Sequence, residues 1–239
     1  MSYFNNIYNN ILKLNNLSEY EKHAEIFEKL FTSLVETNKL YNLTAVTSEE
    51  GVCGLHFADS LLAARYPKEG GKLLDIGCGA GFPSLPIAIA RPDLTVNAID
   101  STAKKIAFST AFATENGVNN FTSSAARAEE LAKTEKRESY DTVTARAVAR
   151  LNVLSELALP FVKVGGTFMA LKGSMGKEEY EEAKKAIKTL GGELERIEEI
   201  PLVLPNETQS RTVIFIKKVT KTPSAYPRMY SKISKSPLK

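Results

Sequence analysis

The sequence predicts an α/β protein with a mostly parallel, doubly wound seven-stranded sheet, an antiparallel edge and an N-terminal helical extension. Three observations predict it. Residues 72–82 read KLLDIGCGAGF, an apolar run that ends in an acid, Asp75, and breaks into glycines at alternate positions, Gly77, Gly79 and Gly81. Downstream, strand-like runs alternate with stretches of helical length, the pattern of a parallel sheet with ligands at the carboxyl ends of its strands. Near the end, two β-like segments joined by polar residues read as an antiparallel pair at the sheet edge.

Residues 1–17 are rich in Asn and read equally as a helix or a loose lead-in. Ser18 followed by Glu21 has the form of a capping box, and Ile26, Phe27, Leu30, Phe31, Leu34 and Val35 then recur at helical spacing. NKLYNLTAV (38–46) ends that helix. Thr47 with Glu50 suggests a second cap for a helix through Leu55, Phe57, Leu61 and Leu62, on which His56, Asp59 and Ser60 fall at i, i+3 and i+4 on one face. After the 72–76 strand, apolar periodicity resumes at Leu85, Ile87 and Ile89. A second strand, Thr95 to Asp100, ends in an acid, and a helix from Ala103 to Asn116 is closed by Gly117. A short third strand opens FTSSAARAEE, and a fourth covers Tyr140 to Ala149. Then come a helix from Leu151 towards Phe161, a strand at 166–171, a Glu/Lys-rich helix at 178–190 and the edge pair at 194–204 and 212–219. The chain divides into a helical segment at 1–66 packed on the core, a Rossmann-like core at 67–220 and a basic tail at 221–239.

The composition, 43% hydrophobic and 25% charged over 239 residues, is that of a globular protein able to bury a substantial core. A formal charge of +3 says little about partners, but its distribution says more. Residues 217–239 carry Lys217, Lys218, Lys221, Arg228, Lys232, Lys235 and Lys239 without one acid, either a solvated tail or a grip on an anionic partner. No apolar run approaches the roughly 18 residues of a membrane span, and the N-terminus lacks a signal-peptide core. A cytoplasmic monomer is expected. Cys53 and Cys78 are too few and too isolated for a disulfide framework or a metal site.

The glycine loop decides the ligand class. A dinucleotide fingerprint is GxGxxG and a phosphate loop ends in Gly-Lys-Ser/Thr; this one is GxGxG, and Ala80, Gly81 and Phe82 offer no cation for a phosphate. A zwitterionic amino-acid tail on a nucleoside suits it better. The form hhDhGxGxG, with h apolar, resembles motif I of the class I S-adenosylmethionine-dependent methyltransferases. Asp100, ending the neighbouring strand, can accept both hydrogen bonds of a ribose diol, a use NAD would share. Ala128 and Glu129 follow the third strand, where an adenine edge would lie. Arg146 ends a central strand, where a cation needs a partner or water. An NAD-dependent oxidoreductase and a non-catalytic RNA-binding module are the alternatives; the loop spacing opposes the first. No NPPY-type motif follows the fourth strand to handle an exocyclic amine, and neither cysteine is placed to attack a pyrimidine carbon. An acceptor such as guanine N7, which carries a lone pair and no proton, needs no base.

Taken together, NKLYNLTAV with HFADSLL, LLDIGCGAGFPSLPIAIARP, DSTAKKIAF, RAEEL, YDTVTARAVARL, LKG at 171–173 and KTPSAYPR closely resemble one family almost end to end. That family is the small-subunit ribosomal RNA guanine-N7 methyltransferases, also called glucose-inhibited division protein B. The resemblance implies S-adenosylmethionine contacts at Gly77, Gly79, Phe82, Asp100, Ser101, Ala128, Glu129 and Arg146, and a guanine of 16S rRNA as substrate. No catalytic residue is assigned, since no general base is required; Arg146, His56 and Asp59 are the candidates, with packing the competing role for His56, Asp59 and Ser60 and a structural ion pair for Arg146. It also gives the tail residues Lys221, Tyr226, Arg228, Lys232 and Lys235 a role on RNA. The chain departs from the family pattern at Thr37, where a Trp is common, at Ser84, where a further Gly is usual, and in YPRMYSKI, which lacks a second Arg, a Gly and a Pro.

Overall fold

Alternation along the strands decides which residues meet which helices. A computed structural model describes residues 2–238. In it β5 (Val162–Lys172) turns Phe168 and Ala170 to one face and Met169 and Leu171 to the other. Likewise β7 (Thr208–Lys218) sends Val213 and Phe215 one way, Ile214 and Ile216 the other, the period of two that a pleated strand imposes. Both faces are therefore apolar, and each carries its own core.

The strands β1 (Lys72–Ile76), β2 (Thr95–Asp100), β3 (Phe121–Ala125), β4 (Tyr140–Arg146), β5, β6 (Gly192–Val203) and β7 form one sheet in the order β3-β2-β1-β4-β5-β7-β6. Pairings from β3 through β5 are parallel, while β7 runs antiparallel to both β5 and β6. The order reverses between β1 and β4. A crevice opens there, at the carboxyl ends of the strands.

One face is covered by α1 (Tyr3–Leu14), α2 (Ala24–Asn38), the helical run Glu49–Ala63, α5 (Ser84–Ala90) and α6 (Ala103–Glu115). The run comprises α3 (Glu49–Gly51), a π-helical stretch Val52–Ala58 and α4 (Asp59–Ala63). The other face carries α7 (Ala128–Leu131), α8 (Leu151–Ala158), α9 (Gly176–Thr189) and α10 (Tyr230–Lys235).

Of the two readings of the N-terminal stretch the helical one holds: residues 3–14 are a helix whose Phe4, Tyr8, Ile11 and Leu12 are buried. Other local expectations are corrected. The Ser18/Glu21 box does not form: Ser18 opens a 3₁₀ turn through His23, and α2 starts at Ala24 with no side-chain cap. The second cap falls one residue later than Thr47, on Ser48, whose Oγ accepts from Gly51 N at 3.2 Å. The fourth strand stops at Arg146 because Ala147 turns to φ 55°, a left-handed conformation that breaks the ladder.

Candidate functional site at the switch point

The glycine loop begins where β1 ends. Gly77 and Gly79 hold φ of 72° and 56°, which L side chains adopt only under strain. They differ in surroundings. A Cβ on Gly77 would meet Val148 Cγ2 at 2.5 Å, whereas one on Gly79 would point into open space. Gly77 N and Cys78 N donate to Ile99 O at 2.7 and 3.1 Å, binding the loop to the end of β2. Asp100 completes that tie: its Oδ2 accepts from Gly79 N at 3.0 Å and its Oδ1 from Thr102 N at 2.8 Å. Beneath the loop, buried Asp75 accepts from Ser84 N at 3.2 Å at the start of α5. Burial pushes the Asp75 carboxyl up to about 6.

Two cavities flank this loop, and Val148 lines both. The smaller, about 240 Å³, brings together Gly77, Asp100, Ser101, Ala128 and Glu129 over the apolar floor of Ile76, Ile99 and Leu157. Tyr230 closes one side of it. The larger, about 550 Å³, is lined by His56, Asp59, Arg146, Arg150, Lys172 and Arg211 among others.

In the larger cavity the charges are already organised. Asp59 accepts from Arg146 Nη1 through Oδ2 and from Arg211 Nε through Oδ1, both at 2.8 Å. Arg146 also donates to Leu55 O at 3.2 Å. Lys172, nearly buried, donates to Ala149 O at 2.5 Å and pairs with Glu179 at 2.8 Å, while Glu179 accepts from Leu151 N at 2.8 Å. That staple holds the Ala147–Arg150 turn, and with it Val148. His56 Nε2 bonds Thr44 Oγ1 at 2.8 Å, and its ring stacks on Phe82 with centroids 4.7 Å apart. Burial, then the nearby Arg146 cation, push the imidazole down to about 4, so it is neutral at pH 7.

The expected site residues thus divide between two places. Gly77, Asp100, Ser101, Ala128 and Glu129 gather at the small cavity, with Gly79 tied to Asp100 beside them. His56, Asp59 and Arg146 line the large one. Phe82 lines neither: its ring is 7% exposed and packs on His56 and Phe57. Ser60 leaves the face expected for it. The π-helical stretch closes its turns over an extra residue, with Asp59 N bonded to Gly54 O, and Ser60 is fully buried with its Oγ on His56 O at 2.5 Å. In the tail, Lys221, Lys232 and Lys235 are exposed, but Arg228 is not open to a phosphate. Its Nε and Nη2 grip the fully buried Glu156 at 2.8 and 2.6 Å, and Tyr226 is half-buried beside it. Val148, Lys172, Arg211 and Tyr230 are not among the residues singled out from the sequence; Val148 and Lys172 lie within the quoted stretches YDTVTARAVARL and LKG, Tyr230 lies within the divergent YPRMYSKI, and Arg211 carries no signal.

The residues present fit an S-adenosyl group: an acid at the end of β2, glycines without side chains at the turn, one of them facing open space, and apolar walls beside them. The model of the family described as rRNA small subunit methyltransferase G, GidB, matches residues 23–204. The chain belongs to that family. A relative from Geobacillus sp. (strain WCH70), named ribosomal RNA small subunit methyltransferase G, is 46% identical over 215 residues, covering 89% of this chain and 90% of its own. Another of that name from Oceanobacillus iheyensis is 44% identical over 230 residues, covering 95% and 96%. Among solved structures, M. jannaschii TYW2 in complex with AdoMet superposes with TM-score 0.56 at 17% identity, over 67% of this chain and 75% of that one. A geranyl diphosphate methyltransferase in complex with GPP and sinefungin gives 0.56 at 13% identity, over 72% and 81%. At such identities the likeness is one of fold. The chain is a methyltransferase on the class I S-adenosylmethionine-dependent fold.

Proposed function

We propose that the protein transfers a methyl group from S-adenosylmethionine to N7 of a guanine in 16S ribosomal RNA, acting as a monomer in the cytoplasm. One observation carries the reading of the acceptor. Beside the glycine loop lies a cation-rich cavity in which Asp59 and Glu179 are each held by a cation and the one histidine is kept neutral. Burial also pushes both Cys53 and Cys78 thiols up, so neither is a ready nucleophile. Such a surface attracts a polyanion and supplies no strong base, which suits an acceptor atom that brings its own lone pair.

In this reading Asp100 accepts the ribose hydroxyls, the segment at Ala128–Glu129 receives the adenine edge, and the backbone at Gly77–Gly79 receives the amino-acid tail. S-adenosylmethionine supplies an electrophilic methyl on a sulfonium. The protein's own contribution is positioning. Val148, stapled by Lys172 and Glu179 and set against Gly77, holds the wall shared by the two cavities. Arg150, whose side chain is 61% exposed and pairs with Glu182 at the surface, can exchange that weak partner for RNA phosphate, and the exposed tail lysines can meet it directly. Among the described residues no helix is long and apolar enough to cross a membrane.

The test is transfer of labelled methyl from S-adenosylmethionine to 30S particles lacking the modification, with the product nucleoside identified by mass spectrometry. The expected product is 7-methylguanosine in 16S rRNA. A different methylated nucleoside would overturn the acceptor atom and leave the cofactor standing. Sedimentation at micromolar concentration tests the monomer.

A further inference from the structure

The small cavity has one wall that the sheet and its crossover helices do not supply. Tyr230, the first residue of α10, lines it together with Asp100, Ala128 and Leu157. Its neighbours in the chain are basic and polar, the composition of a solvated tail, yet the segment is fastened at several points. Arg228 makes four bonds to Glu156, from its backbone N at 2.9 Å, from Nε at 2.8 and 3.2 Å to the two carboxylate oxygens and from Nη2 at 2.6 Å, and Glu156 has no solvent exposure. Arg137 donates to Tyr226 O at 2.9 Å and to Thr222 O at 2.8 Å. Beyond Tyr230, Ile233 is fully buried in the second core. The anchor and the cavity wall are also adjacent on α8, since Leu157 follows Glu156 directly.

Tyr230 itself is spared that burial. It stays 40% exposed at the rim of a cavity whose other walls include Ile99, Ala128 and Leu157. A partly wet aromatic ring on an anchored segment, at the rim of a slot with apolar walls, is a stacking platform for a flat heterocycle. We propose that Tyr230 is a cofactor-binding residue whose ring packs on the adenine of S-adenosylmethionine and closes the nucleoside end of the site. The C-terminal segment, fastened by the Arg228–Glu156 clamp, is then part of the cofactor site. This rests on the assignment of the small cavity to the nucleoside.

The experiment is calorimetric titration of the full chain, and of its Tyr230→Phe and Tyr230→Ala variants, with S-adenosylhomocysteine and with 5′-methylthioadenosine, which keeps the nucleoside and lacks the amino-acid tail. Tyr230→Ala is expected to weaken both ligands by a similar factor, roughly tenfold for a lost base–aromatic stack. Tyr230→Phe should bind as the parent does. Because the ring is exposed at the rim, the melting temperature of the ligand-free variants should stay that of the parent. Unchanged affinity in Tyr230→Ala would overturn the inference while leaving the cofactor reading intact. So would a loss confined to S-adenosylhomocysteine, or an equal loss in Tyr230→Phe. Failure of the parent to bind either ligand would overturn the cofactor reading and the inference with it.

Discussion

At the scale of single residues the site is a set of shared obligations. Asp100 holds Gly79 N and Thr102 N, and a carboxylate has lone pairs left for a diol. Asp100→Ala should therefore weaken S-adenosylhomocysteine by about 1–3 kcal/mol, and calorimetry would reject the role if a folded variant bound as the parent does. Gly77 and Gly79 separate strain from contact. An alanine at either position costs about 1–2 kcal/mol for its positive φ, but only at Gly77 would the Cβ strike Val148. Val148→Ala should then restore part of the ligand affinity lost in Gly77→Ala and none of that lost in Gly79→Ala; additive losses in both pairs would count against the shared wall. His56 and Asp75 oppose each other in pH. With His56 near 4 in the fold and 6.5 unfolded, acidification from 6.5 to 4 protonates the unfolded chain first and lowers stability. Asp75, near 6 in the fold against 3.8 unfolded, takes its proton first in the fold and raises stability over much the same window. His56→Gln removes the first effect alone. Relative to the parent, its urea-unfolding free energy should gain on the order of 3 kcal/mol between pH 6.5 and 4, and a pH-independent difference would show that His56 titrates normally.

At the scale of elements, local signals were legible where one interaction decides them and illegible where tertiary packing does. The glycine turn, the acid ending β2 and the helix closed by Gly117 were all readable, because turn and cap chemistry is short-range. The capping box at Ser18 was readable and did not form, since the chain enters α2 through a 3₁₀ turn that keeps Tyr20 buried. The π-helical stretch Val52–Ala58 left no mark in the spacing, so the face assigned to His56, Asp59 and Ser60 lost Ser60 to the core. The tail shows the same limit most plainly. Its acid-free composition reads as solvated, but the partner that folds it, Glu156, lies 72 residues away. Glu156→Ala would strand the Arg228 guanidinium, whose side chain is only 17% exposed. About 3 kcal/mol of stability should be lost. Limited proteolysis should also begin to cut at 221–238. A variant as stable and as resistant as the parent would mean that the clamp contributes nothing.

At the scale of the whole molecule, a doubly wound, mostly parallel sheet with an antiparallel edge could be anticipated from the alternation of strands and helices, but the fate of the N-terminal segment could not. An Asn-rich stretch is ambiguous by propensity, and what orders it lies 188 residues along the chain. Asn15 reaches the free edge of β6: its Nδ2 donates to Val203 O at 2.8 Å and its Oδ1 accepts from Val203 N at 2.9 Å. The amide thus stands in for a missing strand partner, satisfying backbone groups that an edge leaves open. Around it, Phe4, Tyr8, Ile11 and Leu12 join the same core as Leu73, Val96 and Phe215 of the sheet. That continuity argues that the N-terminal helical segment, although separable in sequence, unfolds together with the Rossmann-like core. Asn15→Ala would leave the N–H and C=O of Val203 unpaired and cost about 2 kcal/mol. If the segments are one cooperative unit, urea unfolding followed by circular dichroism and by tyrosine fluorescence should give coincident curves, both shifted to lower denaturant with the unfolding free energy reduced by that amount. If the helical segment is a separate unit, the substitution should split off an early transition and leave the later one where it was.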